Sequence, residues 1–145
     1  MKHYLLAVAQ VRNGVEKDLF DVYQKRLSRP LYVIELKQHN CPQKEAVDIL
    51  KHISLDDWVC VLDESGVSIS SRDLSKEIEK AEQKFKRLVY VIGGADGLTQ
   101  EIRERSNLCL SLGKLTWPHL LVRGLLAEQL YRCEKIASGH PYHRD

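Results

Sequence analysis

The sequence predicts one α/β domain with a mostly parallel sheet of five to six strands and helices on both faces. Five short apolar runs of strand length alternate with five segments of helical periodicity, the order that βα units produce. The runs at 3–11, 31–36, 58–62 and 88–92 are almost continuously apolar, as strands buried on both faces are. At 145 residues the chain fits a single domain, 1–145, with enough length for a real core.

In order, His3 to Val11 reads as the first strand, and Gly14 breaks it. Over 15–27, Val15, Leu19, Val22, Tyr23 and Leu27 share one helical side, and Pro30 ends that helix. A strand at 31–36 and a polar loop at 37–43 precede a helix over 44–54, with Ala46, Val47, Leu50 and Ile53 inward. The third strand, 58–62, runs into Asp63-Glu64-Ser65-Gly66, a turn by composition. Those two acids suit a solvated turn, yet they lie at the carboxyl end of a strand, the edge where open α/β sheets bind ligands. Ser70 or Ser71 caps a helix running to about residue 86, whose charged positions form a solvated face. The fourth strand leads into Gly93-Gly94-Ala95-Asp96-Gly97, where three glycines permit close approach of backbone to a ligand. This is neither a G-x-G-x-x-G nor a P-loop. A short helix from Thr99 or Gln100 and a strand at 108–112 complete the series.

The stretch from Ser111 to Glu128 joins that last strand to the most apolar helix, 118–138, through a loop holding Gly113, Lys114 and Pro118. Proline suits the start of a helix, so Thr116 or Trp117 is expected as the cap. Free N–H groups at a helix start, together with loop carbonyls, can seat a cofactor; an ordinary strand-to-helix turn has the same sequence. The band Leu121, Leu125, Leu126, Leu130, Cys133, Ala137 is wider than one seam, so burial of two faces is expected, one on the sheet and one on another chain.

A net charge of +2 is too small to argue for nucleic acid unless charge is clustered or two copies combine. The four cysteines are scattered with no C-x-x-C, so reduced thiols in the cytoplasm are expected. The N-terminal residues read as a strand and not a signal peptide, and no segment has membrane-spanning length. A zinc site from Cys133, His140 and His143 lacks a fourth ligand, so no metal is expected. No nucleophile has an adjacent base, which argues against covalent catalysis.

Several motifs in a fixed order carry a resemblance: Ile92 to Gly97, Leu112 to Trp117 followed by Pro118-His119, Leu121-Val122-Arg123, Ala127 to Arg132, and His140-Pro141-Tyr142-His143-Arg144. On these the chain resembles the smallest SPOUT methyltransferases, specifically the ribosomal RNA large subunit methyltransferase H family, over nearly its whole length. The resemblance implies a C-terminal trefoil knot, an exception to unthreaded connections, and a homodimer whose interface includes the last helix. It also implies S-adenosyl-L-methionine as cofactor, with 23S rRNA of the large subunit or assembled ribosome as partner. The acceptor implied is N3 of a pseudouridine in helix 69. Carried over by position, Leu62, Gly93, Leu112, Gly113, Lys114, Leu115, Thr116 and Trp117 line the cofactor. Where many relatives have a lysine after the glycine of the third loop, Val67 follows Gly66 here.

For substrate positioning the candidates are His119, Arg123, Tyr142, His143 and Arg144. His119 and Arg123 are four apart and share a helix face; Arg123 could hold a phosphate or the cofactor's carboxylate. Tyr142 could stack on the uracil and Arg144 pair with a phosphate. The plainer alternatives are a local hydrogen bond for His119, an interface salt bridge for Arg123 and a disordered tail. A non-catalytic RNA-binding or ribosome-assembly module of the same fold is the competing function, and another nucleotide-using α/β enzyme a third.

Overall fold

A computed structural model describes residues 1–145. Its elements are β1 (Lys2–Val8), α1 (Val15–Arg26), β2 (Leu31–Leu36), α2 (Pro42–Lys51), β3 (Asp57–Val67), α3 (Ser71–Lys84), β4 (Arg87–Ile92), α4 (Gln100–Arg105), β5 (Leu108–Leu110) and α5 (His119–Ala137). The sheet has five strands, all parallel, in the order β2-β1-β4-β3-β5. Alternation along each strand divides the core in two. Leu5, Ala7, Cys60, Leu88 and Tyr90 face α1, α3 and α5, while Leu6, Val8, Val59, Val61 and Val89 face α2 and α4. No helix is long and apolar enough to cross a membrane.

Local chemistry fixes the helix starts. Ser70 accepts from the N–H of Asp73 at 3.0 Å and Thr99 from that of Ile102 at 3.3 Å, each satisfying a donor that the first turn leaves free. Gly124 lets α5 lie tight on α1, because a Cβ there would stand 2.6 Å from Leu19 Cδ2.

Several boundaries differ from the sequence expectation. β1 stops at Val8, where Ala9 takes φ 84°, a left-handed conformation that ends pairing. α2 begins at Pro42, whose missing N–H costs nothing in the first turn. In that helix Val47 is exposed and Glu45 buried, the reverse of an apolar-inward assignment. Asp63 to Gly66 is not a free turn: β3 continues to Val67, and both Leu62 and Val67 pair with Leu110 across a bulge. The N-cap of α5 is Pro118 itself, whose ring has no hydrogen-bonding atom to offer the first turn, and the Thr116 hydroxyl donates to Glu64 instead.

Candidate functional site

β3, β4 and β5 end side by side, with Leu62 paired to Ile92 and to Leu110. The bulged part of β3 after Leu62 and the segments that follow β4 and β5 wall a cleft of about 580 Å³, a volume usual for small-molecule sites.

Each wall has its own local cause. Gly66 brings β3 against β5: a Cβ there would lie 2.5 Å from the carbonyl oxygen of Cys109. Asp63 is held by the N–H and hydroxyl of Ser65 at 2.9 and 2.5 Å and faces Arg103 at 3.4 Å. Burial alone would raise its pKa, but these donors bring the carboxyl below its ordinary value. In the glycine loop, Gly97 at φ 80° donates to the carbonyl of Gly94 at 3.0 Å. A side chain at Gly93 would crowd Leu98 Cδ2 at 2.9 Å. The third segment turns at Gly113, whose φ of 113° favours glycine, and Ser111 bridges that residue's N–H and C=O. Thr116 donates to Glu64 Oε2 at 2.7 Å, tying this loop to the β3 bulge.

Leu62, Gly93, Leu112, Gly113, Leu115, Thr116 and Trp117 all line the cleft, together with His119. Lys114 is exposed and does not line it. Arg123 lies elsewhere: it is 2% exposed, paired with Glu35 and donating to the Ala9 carbonyl at 2.7 Å. A guanidinium so engaged fastens α5 to the ends of β1 and β2 and is not free for a phosphate. The tail folds back on the helix. Tyr142 packs edge-on to Tyr131 at 4.8 Å and donates to Glu128 at 3.2 Å, while His143 meets Arg132 at 3.0 Å and Asp145 at 2.9 Å. Arg144 is exposed. Partial burial, Tyr23 and Glu128 push the Tyr142 phenol up to about 12, so at neutral pH it is a donor and not a base.

A groove of about 500 Å³ between α1 and α5 shares Leu112 and Trp117 with the cleft and adds Tyr23, Arg132 and Tyr142. Sequence reasoning missed this continuity, and it missed Asp96, a third carboxylate lining the cleft beside Asp63 and Glu64. Composition signals an exposed acid in a turn but not that three of them converge. His119 is the only basic side chain of the lining. Burial and then Arg123 lower its pKa, partly opposed by Glu45, so the ring is held toward the neutral form.

Loops gathered at the carboxyl edge of an all-parallel sheet around a cofactor-sized cleft define an α/β protein that binds a small ligand at its strand ends. Comparison with known proteins gives the particular family. The family described as "Predicted SPOUT methyltransferase" matches residues 1–143. The ribosomal RNA large subunit methyltransferase H of Rhodospirillum centenum is 40% identical over 154 residues, covering 99% of each chain. The protein of the same name from Allorhizobium ampelinum is 41% identical with the same coverage. Among solved structures, a ribosomal RNA small subunit methyltransferase E from Neisseria gonorrhoeae bound to S-adenosyl methionine aligns with a TM-score of 0.57 at 8% identity. It covers 91% of this chain and 66% of that one, a likeness of fold. The chain belongs to the SPOUT methyltransferases and, within them, to the ribosomal RNA large subunit methyltransferase H family.

Proposed function

We propose that this chain is an S-adenosyl-L-methionine-dependent methyltransferase of 23S rRNA, acting as a homodimer on N3 of a pseudouridine in helix 69 of the large subunit. The observation that carries the reading is the cleft, lined by Leu62, Gly93 and residues of the 112–117 loop in a chain of this family.

The donor set fits the cofactor. S-adenosylmethionine bears a sulfonium and an ammonium against one carboxylate, and the cleft offers Asp63, Glu64 and Asp96 with no lysine or arginine. Leu62, Ile92, Leu112 and Leu115 supply apolar faces for an adenine, and the backbone around Gly113 can meet its polar edge. When bound, the cofactor supplies a methyl group on a good leaving group, so what the protein must add is chiefly positioning. His119, kept toward its neutral form, can take the imide proton that the acceptor must lose. Tyr23, Trp117 and Tyr142 with Arg132 offer stacking and charge to an unstacked base in the adjoining groove. Tyr142, His143 and Arg144 remain the tail's candidates for holding the RNA.

The dimer is supported by exposed apolar side chains on α1, which packs on α5, and in the loop that leads into α5. Val15 is 79% exposed and Leu115 72%, and Val22 and Trp117 are also exposed. A second copy lying along α5 covers such a surface and sets two cleft-and-groove pairs side by side. Threading of the C-terminal segments belongs to the same proposal.

Isothermal calorimetry with S-adenosylmethionine, followed by mass mapping of rRNA from cells lacking the protein, tests this. Saturable heat and one missing methyl on helix 69 are expected. No heat at millimolar ligand would favour the non-catalytic RNA-binding module.

A further inference from the structure

One buried carboxylate lies beside the cleft without lining it. Glu45 lies in the first turn of α2 and is 4% exposed. One oxygen accepts from the backbone N–H of His39 at 2.9 Å. The other stands against the glycine loop: a Cβ built on Gly94 would lie 3.4 Å from Glu45 Oε1 and 3.1 Å from Val8 Cγ1. Gly94 and His119 line the same cleft. Taking a carboxylate out of water is costly, and one hydrogen bond with the field of a helix N-terminus offsets only part of that. Nor does it cap α2: the N-cap is Cys41, which has no side-chain hydrogen bond, and the Glu45 carboxylate reaches past it to the His39 N–H.

We infer that Glu45 is a positioning residue for the methyl-transfer site. Its carboxylate forms the floor of the glycine loop and supplies the counter-charge for His119 when that ring takes the acceptor's proton. The inference rests on His119 acting as the base. In that step the N3–H bond breaks, its electron pair stays on N3 and the proton ends on the imidazole, creating a positive charge at the start of α5. Helix starts disfavour positive charge. Arg123, one turn further along α5, opposes it too, although Glu35 partly neutralises Arg123. Across the cleft stand Asp63 and Glu64 of β3 and Asp96 of the glycine loop. Of these carboxylates Glu45 is the one that is buried without a cationic partner, directly under the glycine loop, and its charge raises the His119 pKa. Asp63 is already engaged by Ser65 and Arg103, and Glu64 by Thr116.

The experiment follows the His119 ring by NMR in the full-length protein, labelled at histidine, across a pH series, alongside kcat and KM for methylation. Glu45→Gln keeps an oxygen that can accept from His39 N–H but removes the charge. It is expected to lower the titration midpoint of His119 and to cut kcat by roughly tenfold, less than the ~100-fold or more that loss of a general base costs because the ring itself remains, with the donor KM within about twofold. Glu45→Asp, which keeps a carboxylate one methylene shorter, is expected to fall between the two, and it is read in place of Glu45→Gln if that variant does not fold. Asp48→Asn also removes one carboxylate from α2, the one 2.9 Å from the His39 ring, but leaves the Glu45 charge in place, and should not move the midpoint. An unmoved midpoint in Glu45→Gln, or an equal fall in Asp48→Asn, overturns the inference. Should the wild-type protein fail to methylate rRNA, the proposed function fails instead, and the titration still reports on Glu45.

Discussion

The sheet carries a hollow at each end, and the two are built differently. At the amino end, about 310 Å³ is lined by His3, Arg29, Glu82 and Glu134 among apolar residues of α3 and α5. There the polar groups are spent on one another. His3 stands 3.3 Å from both Glu82 and Tyr90, Arg29 pairs with Glu82, and Glu134 accepts from the N–H groups of Ser28 and Arg29 at 3.0 and 3.2 Å. At the carboxyl end glycine, backbone and apolar side chains dominate the walls, Asp96 is exposed, and His119 has no carboxylate within ion-pair distance. A buried histidine in a cavity is therefore not by itself a sign of chemistry. What separates a ligand site from a closed structural network is how much hydrogen-bonding and charge capacity is left unspent.

Closing the cleft by force is the sharpest way to test that difference. Gly66→Ala drives a Cβ against the Cys109 carbonyl, and backbone cannot step aside as a flexible side chain can. A loss of about 1–3 kcal/mol in urea unfolding is expected from overpacking. Donor binding by calorimetry should suffer with it, because the same contact aligns the β3 and β5 ends.

A milder change addresses the loop alone. Thr116→Val removes the 2.7 Å hydrogen bond to Glu64 while keeping the shape of the side chain. A hydrogen bond of this kind contributes about 0.5–1.5 kcal/mol to stability, so urea unfolding should shift by no more than that, and donor affinity should fall by roughly threefold to tenfold as the loop loosens. Unaltered affinity would mean that the tie to the β3 bulge does not shape the cleft.

The amino-end network should answer to pH and not to ligand. Burial holds the His3 pKa below its ordinary value of 6.5. The unfolded chain therefore binds a proton at higher pH than the folded one, and the contribution of His3 is complete above the ordinary histidine range and lost as pH falls through it. His119, shifted the same way, adds a slope of the same sign. Urea unfolding between about pH 7.5 and 5.5, where histidines titrate, should show stability declining with acid, less steeply in His3→Gln. Donor affinity of that variant should match the wild type, and a matching loss of affinity would erase the distinction between the two ends.

Much of the fold was legible because the sheet is buried on both faces. Strands such as Leu88 to Ile92 then read as unbroken apolar runs, and Gly93 to Gly97 reads as a loop whatever surrounds it. Val47 and Glu45 were not legible. Their exchange of inside and outside depends on where α2 meets Val8 and Gly94, which helical periodicity does not encode. Arg123 is the same lesson in reverse. Its sequence position beside His119 suggests a ligand contact, but the side chain reaches Glu35 and Ala9, 88 and 114 residues away in the chain.

By itself the sequence determined the succession of strands and helices, the glycine loop at 93–97 and the family, since these rest on local periodicity and ordered motifs. Only the tertiary structure decided that Asp63, Glu64 and Asp96 line one cleft with His119, that the cleft adjoins the groove of Tyr142, and that Arg123 is buried against Glu35 and Ala9. Convergence of that kind depends on strand order and register, which bring distant segments to one edge, and no local pattern along the chain specifies either.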